Sequence, residues 1–384
     1  MPFRTLFDFR LSTCLIYGPG SIQRLPEFLR AGQKALIVTD QGLRAAGVVD
    51  KVIGVLEAAG IPWACFDEVL GNPPASCVQA AYRRYTREKC SIIIGLGGGS
   101  PMDVAKMVGV LASHGGRVEA YLGAGKVLRD LPPLVCVPTT YGTGSEMTPF
   151  AVLNNPKTKN KDPIISWKIA PLAGILDAEL CVALPASVGA PTGMDALTHA
   201  LESYVNLMAT PITEGLALQA IGLVGRNLRL ACANDRELEA TQQMLIASAL
   251  AAMAFSQTRL GNVHAMSHAA GGHFEIHHGL ANAILLPYVM EFNLQARLEK
   301  FALLAGLLGV GTAGMSTRQA AEAAVEAVRQ LNRDLGIPAR LGEAGVKAKA
   351  IPSMARVAMT SGNIAVNPRR TTLRDMERLF AAAV

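Results

Sequence analysis

The chain has 384 residues, more than one hydrophobic core usually serves, so two domains are expected. Half of the residues are hydrophobic and 17% are charged, a composition that buries substantial cores and excludes intrinsic disorder. The formal charge of +6 is scattered, its densest run spanning residues 157–168, and only 5% of residues are aromatic, which argues against a nucleic-acid partner.

The long weakly charged stretch at 242–258 (QQMLIASALAAMAFSQT) draws much of its apolarity from alanine and carries Gln and Ser. That suits a buried helix of a soluble domain better than a membrane span, which needs about 20 strongly apolar residues. The opening MPFRTLFDFR puts charges where a secretion signal needs its apolar stretch, so a cytoplasmic location is expected. Seven cysteines, at 14, 65, 77, 90, 136, 181 and 232, include no CxxC pair. They read as small buried hydrophobes in a reducing compartment.

In chain order, the first half alternates β-rich runs with helical patterns. Strands are expected at 35–40 (ALIVTD), 63–69, 92–96, 134–137 and 173–177, and helices at 48–59, 75–89 and 101–112. Such alternation predicts a parallel α/β sheet. Beyond residue 185 the texture changes: 197–208, 214–231, 237–256, 281–292 and 318–335 all carry 3.6-residue periodicity. The expected architecture is an α/β dinucleotide-binding domain over 1–185 and an all-helical catalytic domain over 186–384, with a cleft between them.

Residues 91–106 read SIIIGLGGGSPMDVAK: a buried strand, glycines, then a helix. Ser100 suits the N-cap, Pro101 the first helical position and Asp103 the capping-box position. A tight strand–helix turn needs one or two glycines, whereas four at 95, 97, 98 and 99 point to a pyrophosphate cradled by backbone N–H groups at a helix N-terminus. Asp40, ending an earlier strand, is the candidate acid for the adenosine ribose and favours NAD over NADP, although a turn-forming Asp before Gln41–Gly42 explains it too. A second polar turn, PTTYGTGSE (138–146), follows another strand, and its Thr139, Thr140 and Ser145 can donate to phosphate or ribose.

Histidines 264, 268, 273, 277 and 278 crowd one segment (VHAMSHAAGGHFEIHHG), and His199 lies four residues after Asp195 in TGMDALTHALE. Residues at i and i+4 share a helix face, so Asp195 and His199 can converge on one ion, and His264 and His268 have the same spacing. In one unbroken helix His278 would lie about 21 Å beyond His264, so the chain has to turn back, with Gly271–Gly272 and Gly279 as places to do so. A histidine and carboxylate set without cysteine suits iron(II) or zinc.

With these motifs the chain resembles the iron-dependent (group III) alcohol dehydrogenases, the family of lactaldehyde and propanediol oxidoreductases. The likeness runs through YGPGS (17–21), ALIVTD (35–40), GLGGGSPMDVAK (95–106), PTTYGTGSEMT (138–148), TGMDALTHALE (192–202), LGNVHAMSH (260–268), HHGLANAILLP (277–287) and NPRRTT (367–372). The resemblance implies a dehydroquinate synthase-like fold, and Fe(II), with Zn(II) as the other option, held by Asp195, His199, His264 and His278. His268 is then a proton-relay residue beside the nicotinamide. Gly97, Gly98, Gly99 and Ser100 hold the pyrophosphate, with Asp40, Asp103, Thr139, Thr140, Ser145 and Lys161 as further NAD contacts. The implied activity is NAD(H)-linked interconversion of a short-chain alcohol or diol and its aldehyde, by a homodimer. Arg259 departs from the family pattern, and a cation there suits a semialdehyde acid such as succinic semialdehyde. A dehydroquinate synthase-like lyase is the alternative of another class; it would form no net NADH and would need a glutamate where Asp195 stands.

Overall fold

The structure, a computed structural model, describes residues 6–384 apart from 31, 156–159, 182–183 and 235–236; of 155 and 160–162 it describes the backbone only. Its strands are β1 (Cys14–Tyr17), β2 (Ala35–Val38), β3 (Trp63–Phe66), β4 (Ile92–Gly97), β5 (Gly123–Ala124), β6 (Leu134–Pro138), β7 (Phe150–Asn155), β8 (Asn160–Ile165) and β9 (Ala173–Leu176). Between them lie α1 (Gln41–Ala45), α2 (Val48–Ala58), α3 (Ala75–Arg87) and α4 (Gly99–His114). All the described helical segments after β9 follow without a further strand: α5 (Ala186–Val205), α6 (Pro211–Ala233), α7 (Leu238–Thr258), α8 (Asn262–Phe274), α9 (His278–Asn293), α10 (Leu298–Leu307), α11 (Thr317–Asp334), α12 (Ile351–Ala358) and α13 (Leu373–Ala383), with short 3₁₀ turns.

Six strands form a parallel sheet in the order β1-β9-β6-β4-β2-β3. Central strands buried on both faces read as unbroken apolar runs, as ALIV and IIIGLG do. Alternation sends Leu36 and Val38 into the core under α3 and α4, and Ala35 and Ile37 into the core under α2. The chain runs from β2 outward to β3, then crosses back to place β4 on the other side of β2. Ligands of open α/β sheets bind at the carboxyl ends of strands flanking such a switch. There Asp40 follows β2 and the glycines end β4.

A second sheet, β5-β8-β7, holds an antiparallel hairpin that the sequence pattern does not announce. Pro163 within β8 and the lysines at 157, 159 and 161 disguise it. The segment between β6 and β7 is knotted to α4 by Lys106, which is fully buried. Its ammonium donates to Ser145 Oγ (2.8 Å), Thr148 Oγ1 (3.1 Å) and the carbonyls of Thr148 (3.1 Å) and Phe150 (2.6 Å).

The helical half packs around α5, α6, α7 and α9, whose buried faces share one core with Tyr141, Met147 and Leu176 of the α/β half. Residues 242–258 fall inside α7, which is buried along most of its length, and no described helix is long and apolar enough to cross a membrane. Helix α5 begins at Ala186, well before the expected residue 197. Gly189, Pro191 and Gly193 read as breakers in the sequence but serve packing: a Cβ on Gly193 would meet Leu228 at 2.2 Å, and one on Gly189 would meet the Tyr141 hydroxyl at 2.4 Å.

Glu146, 1% exposed, sits against Gly174 with its Oε2 unpartnered, and burial pushes its carboxyl up to about 7 from 4.5. A raised folded-state pKa stabilises the fold fully below about 4.5, and the contribution is lost as pH rises through about 7. Glu146→Gln should therefore gain unfolding free energy relative to the parent chain as pH rises through that window, measured by urea denaturation. A constant difference across the window would remove Glu146 as the cause.

Candidate metal centre and dinucleotide cleft

A cleft of about 1790 Å³ runs from the carboxyl ends of β2, β4 and β6 to the helices of the second half. This is above the 300–1,000 Å³ of an ordinary small-ligand pocket. At one end lie Asp40, Gly98, Gly99, Ser100, Thr139 and Thr140; at the other lie Asp195, His199, His264, His268 and His278.

The strand–helix turn differs in detail from its sequence reading. The N-cap of α4 is Gly98, not Ser100, because β4 runs on to Gly97 and the helix begins at Gly99. No side chain caps α4, so its first N–H groups remain available to an anion in the cleft. Asp103 does not close a capping box: its oxygens accept from Ser145 Oγ (2.7 Å) and from the backbone N–H of Val152 (2.9 Å), tying α4 to the hairpin. Gly97 has φ 146, and a Cβ there would meet the Pro101 ring at 2.6 Å, so only glycine fits. The loop after β6 packs on this turn: Thr139 N–H donates to the Gly97 carbonyl (3.1 Å), and a Cβ on Gly99 would meet Thr143 at 2.9 Å. Asp40 caps α1 through the N–H of Leu43 (3.0 Å) while still lining the cleft. The Ser145 hydroxyl proton is committed to Asp103, which leaves the cofactor only a lone pair. The side chain of Lys161 lies outside the described residues.

The other end is built from three helices. Asp195 and His199 lie one turn apart on α5, His264 opens α8 and His278 opens α9. Ligand atoms of Asp195, His199 and His264 all lie within 4.8 Å of one another. Asp195 Oδ1 is 3.8 Å from Nε2 of both His199 and His264, and 3.9 Å from Nε2 of His278. Donors about 2.0–2.2 Å from a shared ion would be spaced in this way. The turn that brings His278 back is made at Glu275, in the left-handed region at φ 56, rather than at Gly271–Gly272, which stay inside α8. Gly279 lies in the first turn of α9, where a Cβ would strike the Pro191 carbonyl at 2.4 Å. His277 is exposed on the cleft wall, so His278 is the member of the pair that enters the cluster. His268 stands beside it, its ring 5.1 Å from that of His278 and 6.0 Å from that of His264.

The imidazoles are oriented from behind. His199 Nδ1–H donates to the Gly142 carbonyl (3.2 Å) and His264 Nδ1–H to Glu202 Oε2 (2.7 Å), which turns both Nε2 atoms toward Asp195. Glu202 also accepts from the N–H groups of Gly261 (2.9 Å) and Val263 (2.6 Å), and burial pushes its carboxyl up to about 7. Asn282 Nδ2 donates to Asp195 Oδ1 (2.6 Å) and lies 3.1 Å from Nε2 of both His264 and His278. Sequence reasoning passed over both residues, although the spacing pointed to them. Glu202 is seven residues past Asp195, on the same face of α5, and Asn282 is one turn past His278. Phe255 stacks on His199 at 4.5 Å. One turn on, Arg259 adopts φ 66, ψ −168, a region almost reserved for glycine that costs about 1–3 kcal/mol.

The chain is similar to known proteins over nearly its whole length. Residues 12–178 match the family described as iron-containing alcohol dehydrogenase, and residues 189–384 match its C-terminal family. The chain is 44% identical to a 1,3-propanediol dehydrogenase of Klebsiella pneumoniae, covering 98% of this chain and 99% of that protein. It is 38% identical to an NAD-dependent methanol dehydrogenase of Bacillus methanolicus, covering 98% and 100%. A crystal structure of a 1,3-propanediol oxidoreductase superposes with a TM-score of 0.96 at 44% identity, over 99% of this chain and 100% of that one.

Replacing Glu202 with Gln keeps the shape but removes the anion behind His264. Affinity for Fe(II) should fall about 10–100-fold, read by calorimetry on the refolded apoprotein. Unchanged affinity would show that Glu202 only fills space.

Proposed function

The chain belongs to the iron-containing alcohol dehydrogenase family, and from that premise we propose that it interconverts a short-chain primary alcohol or diol with its aldehyde, using NAD(H). The convergence of one carboxylate and three imidazoles on a point of the cleft carries the reading. The donor set, two-element chemistry of nitrogen and oxygen without sulfur, fits iron(II) and also suits zinc(II). Asp195, His199, His264 and His278 would hold the ion. When bound, it supplies Lewis acidity to the substrate oxygen, polarising a carbonyl or acidifying a hydroxyl.

The chain's own groups do the rest. Glu202 and the Gly142 carbonyl keep both imidazoles in the tautomer whose Nε2 is a donor to metal. His268, beside His278 on the cleft wall, takes or returns the hydroxyl proton at a ring nitrogen. The uncapped N–H groups of α4 at Gly99 and Ser100, with Gly97 and Gly98 before them, receive the pyrophosphate, and Thr139 and Thr140 flank it. Asp103 and Ser145 support that loop from behind, and Lys161 is a further cofactor contact. Asp40 accepts from the ribose hydroxyls and repels a 2′-phosphate, which favours NAD over NADP. The nicotinamide supplies the hydride acceptor.

We put the domain boundary at 185–186, a reading supported by the start of α5 at Ala186. A homodimer is supported by Leu6, Phe9, Leu11 and Tyr17, which stand exposed along or just before the edge strand β1. The reading also places the enzyme in the cytoplasm.

Anaerobic Fe(II)-loaded protein should oxidise NADH on addition of 3-hydroxypropanal, and light scattering should give twice the chain mass. Net NADH consumption separates this activity from a lyase that uses NAD transiently. His264→Ala should lose bound metal together with at least about 10³-fold in kcat, the scale of several kcal/mol of Lewis-acid assistance. A metal-free His264→Ala protein with parental turnover would end the proposal.

A further inference from the structure

We infer that Arg259 determines specificity: it receives an anionic group at the far end of the substrate, so the preferred substrates are short aldehydes and alcohols that also carry a carboxylate. This inference rests on the dehydrogenase reading above.

Its position is set by two neighbours of the metal cluster. Phe255, one helical turn earlier, stacks on His199, and His264 itself follows five residues later. Arg259 lines the same cleft as the cluster and is exposed there. Its backbone conformation, φ 66 and ψ −168, belongs almost exclusively to glycine, so the fold bears a cost for a side chain at this place.

No contact of the side chain among the described residues repays that cost. Among the described residues the guanidinium has no hydrogen bond or ion pair, although the Arg259 carbonyl is bonded to Thr258 and Asn206. The wall beside it is uncharged: Thr360, Ser361, Gly362 and Asn363. Gly362 has no side chain there, and a Cβ on it would lie 3.4 Å from Arg259 Nη1, so the glycine leaves room beside the cation. Of the cleft's carboxylates, Asp40, Asp67 and Glu68 belong to the ends of β2 and β3, Asp103 accepts from Ser145 and Val152, and Asp195 accepts from Asn282. An unneutralised guanidinium beside free space is a carboxylate receptor, since its planar fork matches the two oxygens. A substrate bearing the carboxylate a few carbons from its aldehyde can present one end to Arg259 and the other to the metal cluster.

The test uses Fe(II)-loaded holoenzyme with NADH and two aldehydes of similar length, succinic semialdehyde and neutral butanal. The parental chain should favour the semialdehyde in kcat/KM. In Arg259→Gly and Arg259→Gln the ratio of the two kcat/KM values should fall about 10–100-fold, mainly through KM for the acid, the scale of a hydrogen bond to a charged group. Arg259→Lys should recover part of the ratio. The melting temperature of Arg259→Gly should be no lower than that of the parent, because glycine relieves the backbone. A parental ratio at or below one, or an unchanged ratio in both variants, would overturn the inference. Calorimetry with butyrate in the presence of NAD gives a readout independent of turnover. If no aldehyde is reduced by any form, the dehydrogenase reading falls, and the butyrate result decides on Arg259 alone. Binding weakened in Arg259→Gly would sustain the anion receptor, and equal binding would remove it.

Discussion

The carboxylate of Asp195 is 2% exposed, and the need to neutralise it organises the helical half of the molecule. A lone buried anion costs far more than folding can supply unless donors or cations surround it. The Asn282 amide donates to it, while the Nε2 atoms of three imidazoles on α5, α8 and α9 face it at 3.8–3.9 Å, so a cation held among them would complete the neutralisation. Each helix contributes from near its start or its middle turn, so these elements have little freedom to slide without exposing the charge. A second buried carboxylate, Glu202, lies on the same face of α5 and is satisfied by the opening N–H groups of α8 and by His264. Two anions on one helix thus fix the entry of its neighbour. The same arrangement leaves ligand atoms of Asp195, His199 and His264 within 4.8 Å of one another, with His278 Nε2 3.9 Å from Asp195.

The loop after β6 joins this cluster to the α/β half. Thr139 is hydrogen-bonded to the end of β4, and Gly142 holds His199 through its carbonyl while packing against Thr192 of α5. Tyr141, between them, belongs to the helical core. A few consecutive residues therefore touch the glycine turn after β4, the helix that carries Asp195 and His199, and the shared core. Lys106 and Asp103 pin the far end of the loop to α4. The distance between the two ends of the cleft is set by this loop rather than by a flexible linker.

Much of this was legible in the residues. Unbroken apolar runs at ALIV and IIIGLG gave the parallel sheet, and the i, i+4 spacing of Asp195 and His199 gave one side of the cluster, because both depend on local periodicity. What escaped depends on tertiary partners. Gly193 reads as a breaker until Leu228 lies against it, and Ser100 reads as a cap until β4 is seen to extend through Gly97. The break after α8 falls at Glu275, which no propensity favours over the nearby glycines. The β7–β8 hairpin hid behind Pro163 and its lysines. Glu202 and Asn282 carried a usable signal, since each shares a helix face with a candidate ligand, but a single carboxylate or amide in a helix attracts notice only once its histidine neighbours are placed.

The topology of the main sheet also orders the events of synthesis. Strand β1 sits at an edge and, among the described residues, pairs with β9 alone, Cys14 opposite Ala173 and Tyr17 opposite Leu176. A ribosome that releases the chain from its amino end exposes the first strand well before its mate exists, for roughly 10–30 s at about 5–20 residues per second. Through that interval the apolar Leu15 and Ile16 have no sheet to join. The rest of the sheet can therefore pair before its amino-terminal edge, and β1 joins only once β9 has been made.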